Sequence, residues 1–465
     1  MTHQPALFTE PTPASSGPVE CLGLTFENDA ARRAYFTEKL REKLQDPAFR
    51  QIEGFPLGSD EDILALSDPP YYTACPNPFL EDFVKHYGKP YDPTADRYRR
   101  EPFAVELAES RNNPFVNAHS YATKVPHQAV MRLLLHYTEP GDLVLDAFGG
   151  TGMTAVAAQL CANPDQDFIQ IITDEMPEAQ WGARCAIVGD LSTAATFIAR
   201  NFNLPDDLNA FEKEAQQLAQ EVQAECGWMY ETYHRHNQTG NIIVTLWSDV
   251  FTCTNCGAEI VFWDRAVNLD SAEIEDKISC KVCGVQNKKT NLERAWVVKF
   301  DTLLGHTIKI AKQTPVLIVY ECNGKRYEKY PDDKDFELLD QIEQQSIPYW
   351  FPTERMPVGE ESRRNDDIGV THVHHFFTKR NLYALAVAWS KAQSIRAKFL
   401  LTSLMYKSSL LCAPLMSNFF AAKKGKAGGG WVGKERSGTL YYPSIHSEVA
   451  IVPQIKSRTC LSTNF

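Results

Sequence analysis

The chain has 465 residues, of which 43% are hydrophobic and 11% aromatic, a composition typical of an ordinary globular protein with about two to three domains. Its net charge of -12 excludes a broad basic surface, so any contact with nucleic acid has to come from local patches. The sequence contains no apolar run of about 18 residues and no signal peptide, which predicts a cytoplasmic protein without membrane contact. In that reducing compartment its twelve cysteines favour metal binding over disulfides.

In chain order, the first 25 residues predict a disordered terminus because they are rich in Pro, Ser and Thr. An amphipathic helix is predicted over 27–45. The apolar residues 63–66 predict a strand, which two prolines end in a rigid turn made of Asp68, Pro69, Pro70 and Tyr71. This turn presents a carboxylate, two carbonyls and an aromatic face, a set suited to a planar ring that carries an amino group. A turn without function is the alternative.

Residues 88–117 are predicted to form a polar loop between helices over 79–86 and 127–137. The loop contains basic and aromatic residues, namely Tyr91, Arg97, Tyr98, Arg99, Arg100 and Arg111. Such a loop beside the Asp-Pro-Pro-Tyr turn could grip a displaced nucleic-acid strand, and a plain solvated loop is an equal alternative.

A glycine-rich turn follows the apolar run 143–145, which predicts a buried parallel strand, and precedes an Ala-rich helix over 153–160. Its polar, aromatic and glycine residues are Asp146, Phe148, Gly150, Thr151 and Gly152. Glycine allows a ligand to approach the backbone closely, and open α/β sheets bind ligands at the carboxyl ends of their strands. A plain strand-turn-helix is one alternative. A nicotinamide fold is another, because the spacing up to Ala155 fits the loose glycine fingerprint.

A second strand is predicted over 183–188, and Ser192 is predicted to cap a helix over 193–201. An acid at the end of such a strand commonly binds the ribose hydroxyls of a cofactor, which makes Asp190 the candidate. Asp174, about 20 residues past the glycine turn, is the alternative, and either acid could merely lie on the surface.

Taken together, these residues resemble the DNA amino-methyltransferases that use S-adenosylmethionine. The catalytic motif of that family is Asp, Asn or Ser followed by Pro-Pro and an aromatic residue, as at 68–71, and its cofactor motif D-x-F-x-G-x-G matches 146–152. The catalytic motif comes first, which is similar to the circularly permuted members. Residues 117–126 lie where the family keeps another cofactor-contacting turn, so the resemblance adds Lys124 to the cofactor residues.

The resemblance implies an α/β fold with a Rossmann-like methyltransferase sheet, S-adenosylmethionine as cofactor and DNA as partner. It implies methylation of adenine N6, or of cytosine N4, on a flipped base: Asp68 and the Pro69 carbonyl hold the amino group while Tyr71 stacks on the ring. Restriction or phage-defence partners are implied as well. The alternatives are a zinc-ribbon DNA-binding or interaction protein without turnover, and an RNA amino-methyltransferase.

Two Cys-x-x-Cys-Gly motifs follow a predicted strand over 241–247. Their spacing predicts a structural zinc ribbon with a closed set of four thiolate ligands, Cys253, Cys256, Cys280 and Cys283. A local basic edge compatible with DNA contact consists of Lys281, Lys288, Lys289 and Arg294. We therefore expect a methyltransferase domain over 26–240, a zinc-ribbon insert over 241–300 and a mixed α/β region over 301–465 that recognises the target.

The C-terminal half leaves three points open. No second Asp-Pro-Pro turn follows residue 71, so the missing sheet strands are expected after residue 240, or the chain is a shortened member with an incomplete sheet. His372, His374 and His375 could bind a metal, but no Cys or acid nearby in sequence completes a site, which favours packing or hydrogen-bonded roles. The basic segment 423–431 suits phosphate contact or a plain loop.

Overall fold

The computed structural model describes residues 17–104, 114–121, 124–235, 238–268, 270–271, 273–423, 433–434 and 438–462. The predicted disorder of residues 1–16, the predicted role of Arg111 and the basic segment after residue 423 lie outside these ranges. The chain divides into two compact units. The first contains Met1–Glu212, Ser394–Phe399 and Leu461–Phe465, and the second contains Lys213–Gln393 and Leu400–Cys460.

The described helices and strands alternate irregularly along the chain. The α-helices are Asp29–Leu44, Pro47–Arg50, Asp60–Leu66, Leu80–Tyr87, Pro114–Ala118, His127–Tyr137, Met153–Leu160, Gln166–Glu175, Thr193–Asn203, Leu208–Cys226, Phe262–Ala266, Asp333–Glu343, Lys379–Lys391, Ile395–Ser408, Met416–Lys423 and Ile451–Ser462. The strands are Val19–Cys21, Leu24–Phe26, Leu143–Asp146, Cys185–Val188, Glu231–Tyr233, Thr239–Thr252, Glu259–Val261, Val267–Asn268, Glu273–Ile274, Lys277–Ser279, Gln286–Lys288, Glu293–Arg294, Trp296–Asp301, His306–Ala311, Gln313–Cys322, Lys325–Lys329, Ala413–Pro414, Gly433–Lys434 and Ile445–Val449. None of the described helices is long and apolar enough to cross a membrane.

Two predictions about the start of the first unit are wrong. Val19–Cys21 and Leu24–Phe26 pair as antiparallel strands, so the disorder predicted up to residue 25 does not extend over them. Residues 63–66 lie in a helix instead of a strand. Ser59 caps this helix by accepting the backbone N–H of Asp62 at 3.1 Å, and the acids of its first turn suit the positive end of the helix dipole.

The predicted cofactor strand and its neighbour form a parallel pair. Both predicted strands are present, and Leu143–Asp146 pairs parallel with Cys185–Val188. The helices His127–Tyr137 and Met153–Leu160 contribute to a buried cluster against this pair, consisting of Met131, Leu134, Leu135, Ala157, Ala158, Cys161, Phe168 and Ile172. Among the described residues no third strand joins the pair, so a full Rossmann-like sheet is not established.

The strands after residue 240 form a sheet of their own in the second unit. Its centre is the 14-residue strand Thr239–Thr252, which pairs antiparallel with Gln313–Cys322, Ile445–Val449 and three shorter strands. Among the described residues none of these strands pairs with the parallel strands of the first unit. Lys325–Lys329 extends this sheet by pairing antiparallel with Gln313–Cys322.

A buried ion pair lies beside this central strand. Arg380 donates through Nε to Glu448 Oε1 at 3.0 Å and through Nη2 to Glu448 Oε2, and both side chains are almost completely buried. Trp247 Nε1 donates to the same carboxylate at 2.8 Å. These contacts stabilise the charged form of the Glu448 carboxylate, which burial alone would disfavour.

Candidate active site and metal centre

The Asp-Pro-Pro-Tyr motif forms a closed turn in the first unit. The backbone N–H of Asp68 donates to Tyr72 O at 2.9 Å, and the N–H of Tyr72 donates back to Asp68 O at 3.0 Å. The peptide bond between Pro69 and Pro70 is cis. The turn therefore places the Asp68 carboxylate and the Tyr71 ring on a short and fixed stretch of backbone.

Three guanidinium groups surround the Asp68 carboxylate, whose side chain is only 6% exposed. Arg32 Nη1 lies 3.1 Å from Oδ1, Arg33 Nε lies 3.3 Å from Oδ1, and Arg200 Nη2 lies 3.1 Å from Oδ2. Burial alone would raise the pKa of Asp68, but the three positive charges outweigh it and lower the pKa below its usual value. Asp68 is therefore ionised and accepts hydrogen bonds.

Arg32 also occupies the other groups expected to hold a target base. Its Nη1 donates to the Pro69 carbonyl at 2.7 Å, and its Cζ lies 4.9 Å from the centre of the Tyr71 ring. The Pro70 carbonyl accepts a hydrogen bond from Asn77 Nδ2 at 2.9 Å. The turn was predicted to present free carbonyls, and in this structure both carbonyls have partners.

Sequence reasoning missed Arg32, although a signal for it exists. The buried residues of helix Asp29–Leu44 are Arg32, Phe36, Leu40 and Leu44, spaced by four. A residue four positions before an apolar stripe points to the same face of the helix. An arginine in that place is buried and requires a buried anion, which Asp68 supplies.

The glycine turn is braced by its own acid. Asp146 Oδ2 accepts the hydroxyl of Thr154 at 2.6 Å, and Oδ1 accepts the N–H of Phe148 at 3.2 Å. The Phe148 ring is 82% exposed, whereas Thr151 is buried. Among the predicted cofactor residues, Phe148 therefore presents a large apolar face to a ligand.

The two glycines of the turn serve different purposes. Gly150 and Gly152 both have positive φ, 51° and 76°. A Cβ on Gly152 would lie 2.7 Å from the Cβ of Ala199, so this glycine permits close packing against helix Thr193–Asn203. A Cβ on Gly150 would meet only Tyr121, at 3.7 Å. The backbone at Gly150 is therefore the more open part of the turn.

The predicted ribose acids lie in different surroundings. Asp190 accepts the N–H of Gly150 at 3.0 Å and that of Ser192 at 2.8 Å, which ties the second strand to the glycine turn. Asp174 lies on the exposed side of helix Gln166–Glu175 and accepts from Gln170 Nε2 at 3.2 Å. The structure thus brings Asp190 to the glycine turn and leaves Asp174 outside it.

The Lys124 ammonium group donates to two backbone carbonyls. Its Nζ lies 2.8 Å from Phe115 O and also donates to His119 O. Lys124 therefore ties together the short helix Pro114–Ala118 and the residue that follows it.

A cavity of about 260 Å³ connects parts of the two motifs. Residues 71–77, which include the end of the Asp-Pro-Pro-Tyr turn, line one part of its wall, and residues 188–191, including Asp190, line another. Asp68 and the glycines of the glycine turn are not among the lining residues. The cavity is therefore bordered by Tyr71 on one side and by Asp190 on the other.

The four predicted zinc ligands converge in the second unit. All four sulfur atoms lie within 4.8 Å of one another, and the pairs Cys253–Cys283 and Cys256–Cys280 are each separated by 3.6 Å between Sγ atoms. Four thiolates at about 2.3 Å from a tetrahedral zinc ion would be separated by about 3.8 Å. The sulfur positions fit such an ion, and four thiolates leave no open coordination position.

The two Cys-x-x-Cys-Gly motifs form turns, here called knuckles, that share one backbone hydrogen-bond pattern. In the first knuckle the N–H of Gly257 donates to Cys253 O at 2.9 Å, and in the second the N–H of Gly284 donates to Cys280 O at 3.0 Å. Both glycines have φ near +72°, as expected from their place after each second cysteine. The first of these two motifs directly follows the central strand Thr239–Thr252, so the zinc ribbon is connected to the end of that strand.

The four residues of the predicted basic edge differ in their surroundings. Arg294 pairs with the buried Asp249 carboxylate at 2.7 Å, and Lys289 lies over the ring of Phe262, with its Nζ 5.1 Å from the ring centre. Lys281 and Lys288 are exposed. Two of the four cations are thus used within the fold.

Comparison with known proteins identifies one segment of the chain. A family model described as DNA methylase matches residues 59–171, which contain both the catalytic turn and the glycine turn. No curated protein matches the chain, and no solved structure does. This segment of the chain is therefore similar to the N6-adenine and N4-cytosine DNA methylases.

Proposed function

We propose that this protein transfers a methyl group from S-adenosylmethionine to the exocyclic amino group of a base in DNA, most readily N6 of adenine or otherwise N4 of cytosine. The observation that carries the proposal is the family match over 59–171, because it includes both motifs in one segment. The cavity bordered by Tyr71 and Asp190 supports it, since a methyl donor and an acceptor base have to meet at one place.

The glycine turn is the proposed cofactor site. S-adenosylmethionine supplies an electrophilic methyl group when it is bound. Of this chain's residues, the exposed Phe148 ring is placed to stack on a nucleoside, and the open backbone at Gly150 permits close approach. A carboxylate has about four lone-pair sites, and two at Asp190 are already used, which leaves sites for ribose hydroxyls.

The catalytic turn is the proposed base site. The ionised Asp68 carboxylate and the Pro69 carbonyl accept the hydrogen atoms of the target amino group, and Tyr71 stacks on the flipped ring. Because neighbouring arginines lower the pKa of Asp68, its role is to accept and orient rather than to take up a proton. In the described conformation Arg32 makes these contacts, so the base has to displace Arg32 from them.

We also infer that Cys253, Cys256, Cys280 and Cys283 hold one zinc ion. The 3.6 Å sulfur separations and the closed ligand set support a structural ion over a catalytic one. Such an ion cross-links the two knuckles, and its binding energy contributes directly to folding of the ribbon.

Transfer of labelled methyl groups to unmethylated DNA tests the catalytic assignment. We expect Asp68→Ala to abolish transfer while the affinity for S-adenosylmethionine, measured by calorimetry, stays within a few-fold, because Asp68 faces the target. Asp82→Ala is the matched control, since this acid is exposed on helix Leu80–Tyr87. An active parent whose Asp68→Ala variant keeps its rate would contradict the assignment, and binding of NAD alone would reject the cofactor.

A second candidate function is DNA binding or protein interaction without turnover. The observation that favours it is the engagement of Asp68 and the Pro69 carbonyl by arginine side chains. It predicts no transfer by the unmutated protein and weak or absent cofactor binding. Including an RNA substrate in the same assay separates the third possibility, an RNA amino-methyltransferase.

A further inference from the structure

Two imidazoles meet one carboxylate in the second unit. Asp301 Oδ2 lies 3.0 Å from Nε2 of His374 and 3.0 Å from Nε2 of His375, and all three side chains are less than a tenth exposed. No acid lies near these histidines in the sequence. Asp301 lies 73 positions before His374 and becomes its neighbour only through the fold.

The backbone fixes the carboxylate in this position. Asp301 ends the strand Trp296–Asp301, and its Oδ1 accepts the N–H groups of Leu303 at 2.9 Å and Leu304 at 3.2 Å. One oxygen is thus anchored in the turn, and the other is directed to the imidazoles. A carboxylate held in this way needs no rearrangement to act as a single-oxygen ligand.

A short 3-10 turn, Val373–Phe376, presents the two histidines side by side. Their ring centres are 4.3 Å apart, and the planes are inclined by 68°. His372, the third histidine of the segment, is not part of the group of three whose ligand atoms all lie within 4.8 Å of one another. The ligand set is therefore two imidazole nitrogens and one carboxylate oxygen.

The three ligand atoms lie close enough together to share one cation. Imidazole nitrogen and carboxylate oxygen bind first-row divalent metals at about 2.1 Å, so two such ligands are separated by about 3.0 Å at the right angle of an octahedral site and by about 3.4 Å at the tetrahedral angle. Both nitrogen–oxygen separations are 3.0 Å, and all three ligand atoms lie within 4.8 Å of one another. Two imidazoles and one carboxylate suit first-row divalent metals, whereas calcium and magnesium prefer oxygen ligands throughout.

We propose that Asp301, His374 and His375 form a second metal site, which binds a first-row divalent cation such as Zn²⁺. Three protein ligands leave at least one position open, in contrast to the closed set of four cysteines. The site is independent of the proposed methyl transfer. Two neutral imidazoles that merely donate hydrogen bonds to the carboxylate would give similar distances, so a count of bound metal has to separate the two arrangements.

Elemental analysis of the untagged full chain, equilibrated with Zn²⁺, provides that count. We expect two zinc ions per chain in the unmutated protein, one in Asp301→Asn and one in Cys256→Ser. His136→Ala, which removes a partly exposed histidine of the first unit, is the control and should keep two. A single zinc ion that is retained by Asp301→Asn and lost by Cys256→Ser would overturn the proposal.

A cobalt titration of the unmutated protein keeps the test independent of how the variants fold. Four thiolate ligands give Co²⁺ an intense sulfur-to-metal charge-transfer absorption, and nitrogen and oxygen ligands do not. We expect two equivalents of Co²⁺ to bind, of which only one contributes to the thiolate band. Saturation at one equivalent would overturn the second site.

Discussion

Arg32 is the side chain whose replacement tests the proposed base site most directly. Its Nη1 donates to the Asp68 carboxylate and to the Pro69 carbonyl, and its guanidinium group lies over the Tyr71 ring. These are the three groups assigned to a flipped base. We therefore predict that Arg32→Met, which keeps a long apolar side chain, exposes the base site and raises the efficiency of methyl transfer.

The size of the effect follows from the contacts that the base has to displace. A hydrogen bond contributes about 0.5–1.5 kcal/mol net, and Arg32 makes two at the base site, 2.7 and 3.1 Å long. The contact of the guanidinium group with the aromatic ring adds about 0.5–1 kcal/mol, the lower range for such contacts, because the Tyr71 ring is 37% exposed. The three contacts together hold Arg32 in place by about 2 kcal/mol, which corresponds to roughly a 30-fold increase in kcat/KM when they are removed.

Labelled-methyl transfer to a DNA duplex, measured below saturating DNA, gives kcat/KM for each variant. Arg33→Met is the matched control, because Arg33 lies 3.3 Å from the same Asp68 oxygen but is about half exposed. We expect its kcat/KM to stay within about fivefold of the parent, since an ion pair to a half-exposed arginine contributes about 1 kcal/mol or less.

Stability has to be followed in parallel. Arg32→Met removes one partner of a buried carboxylate, but Asp68 keeps Arg200 at 3.1 Å and Arg33 at 3.3 Å. We expect the free energy of unfolding to fall by about 1–3 kcal/mol in chemical denaturation. A folded Arg32→Met protein that has lost transfer would refute the reasoning and make Arg32 a residue that positions Asp68.

Three further predictions concern the cofactor, the ribbon and the second unit. Phe148→Ala should weaken S-adenosylmethionine binding in calorimetry by roughly tenfold or more, because ring burial contributes about 1.5–3 kcal/mol, and should leave the melting temperature of the free protein unchanged, since the ring is 82% exposed. Zinc removal by a chelator, or Cys256→Ser, should make the ribbon sensitive to proteolysis, because ion binding stabilises its fold. Arg380→Met should lower the free energy of unfolding by about 3–5 kcal/mol in denaturant, because Glu448 would remain buried without its partner; adding Glu448→Gln should restore most of this loss.

Local patterns were sufficient to predict much of the first unit. The helices Asp29–Leu44, His127–Tyr137 and Met153–Leu160 lie within two residues of their predicted bounds. Ser192 caps its helix by accepting the N–H of Ala195, as predicted. Apolar spacing and capping side chains act within about four residues, so the sequence displays them directly.

At residues 60–66 the sequence contained signals for both a strand and a helix, and the prediction of a strand was wrong. Four consecutive apolar residues fit a buried strand and a buried helix equally well. Ser59 and the three acids that follow it are a helix start signal, and they decide the structure. The start signal was readable in the sequence, but the prolines after residue 68 favoured the strand.

The partners of Asp68 and of the histidine pair could not be read from local patterns. Arg200 lies 132 positions after Asp68, and Asp301 lies 73 positions before His374. Only the tertiary fold sets which charged groups share a buried volume. The sequence can show that a buried carboxylate requires positively charged or hydrogen-bonding partners. Which residues these partners are depends on which helix faces and strand ends the fold brings together.

The parallel pair is where the expected and observed surroundings differ most. An apolar run such as 143–145 predicts a strand covered on both faces, yet Leu145 is 70% exposed and Phe148 is 82% exposed. The helices His127–Tyr137 and Met153–Leu160 contribute to a buried cluster with Val144 and Ala186, which does not include Leu145. The residue pattern therefore gives the type of strand correctly, but it does not specify what covers the exposed side chains. The same exposure leaves the Gly150 backbone and the Phe148 ring accessible together, as the proposed binding of a nucleoside cofactor at this turn requires.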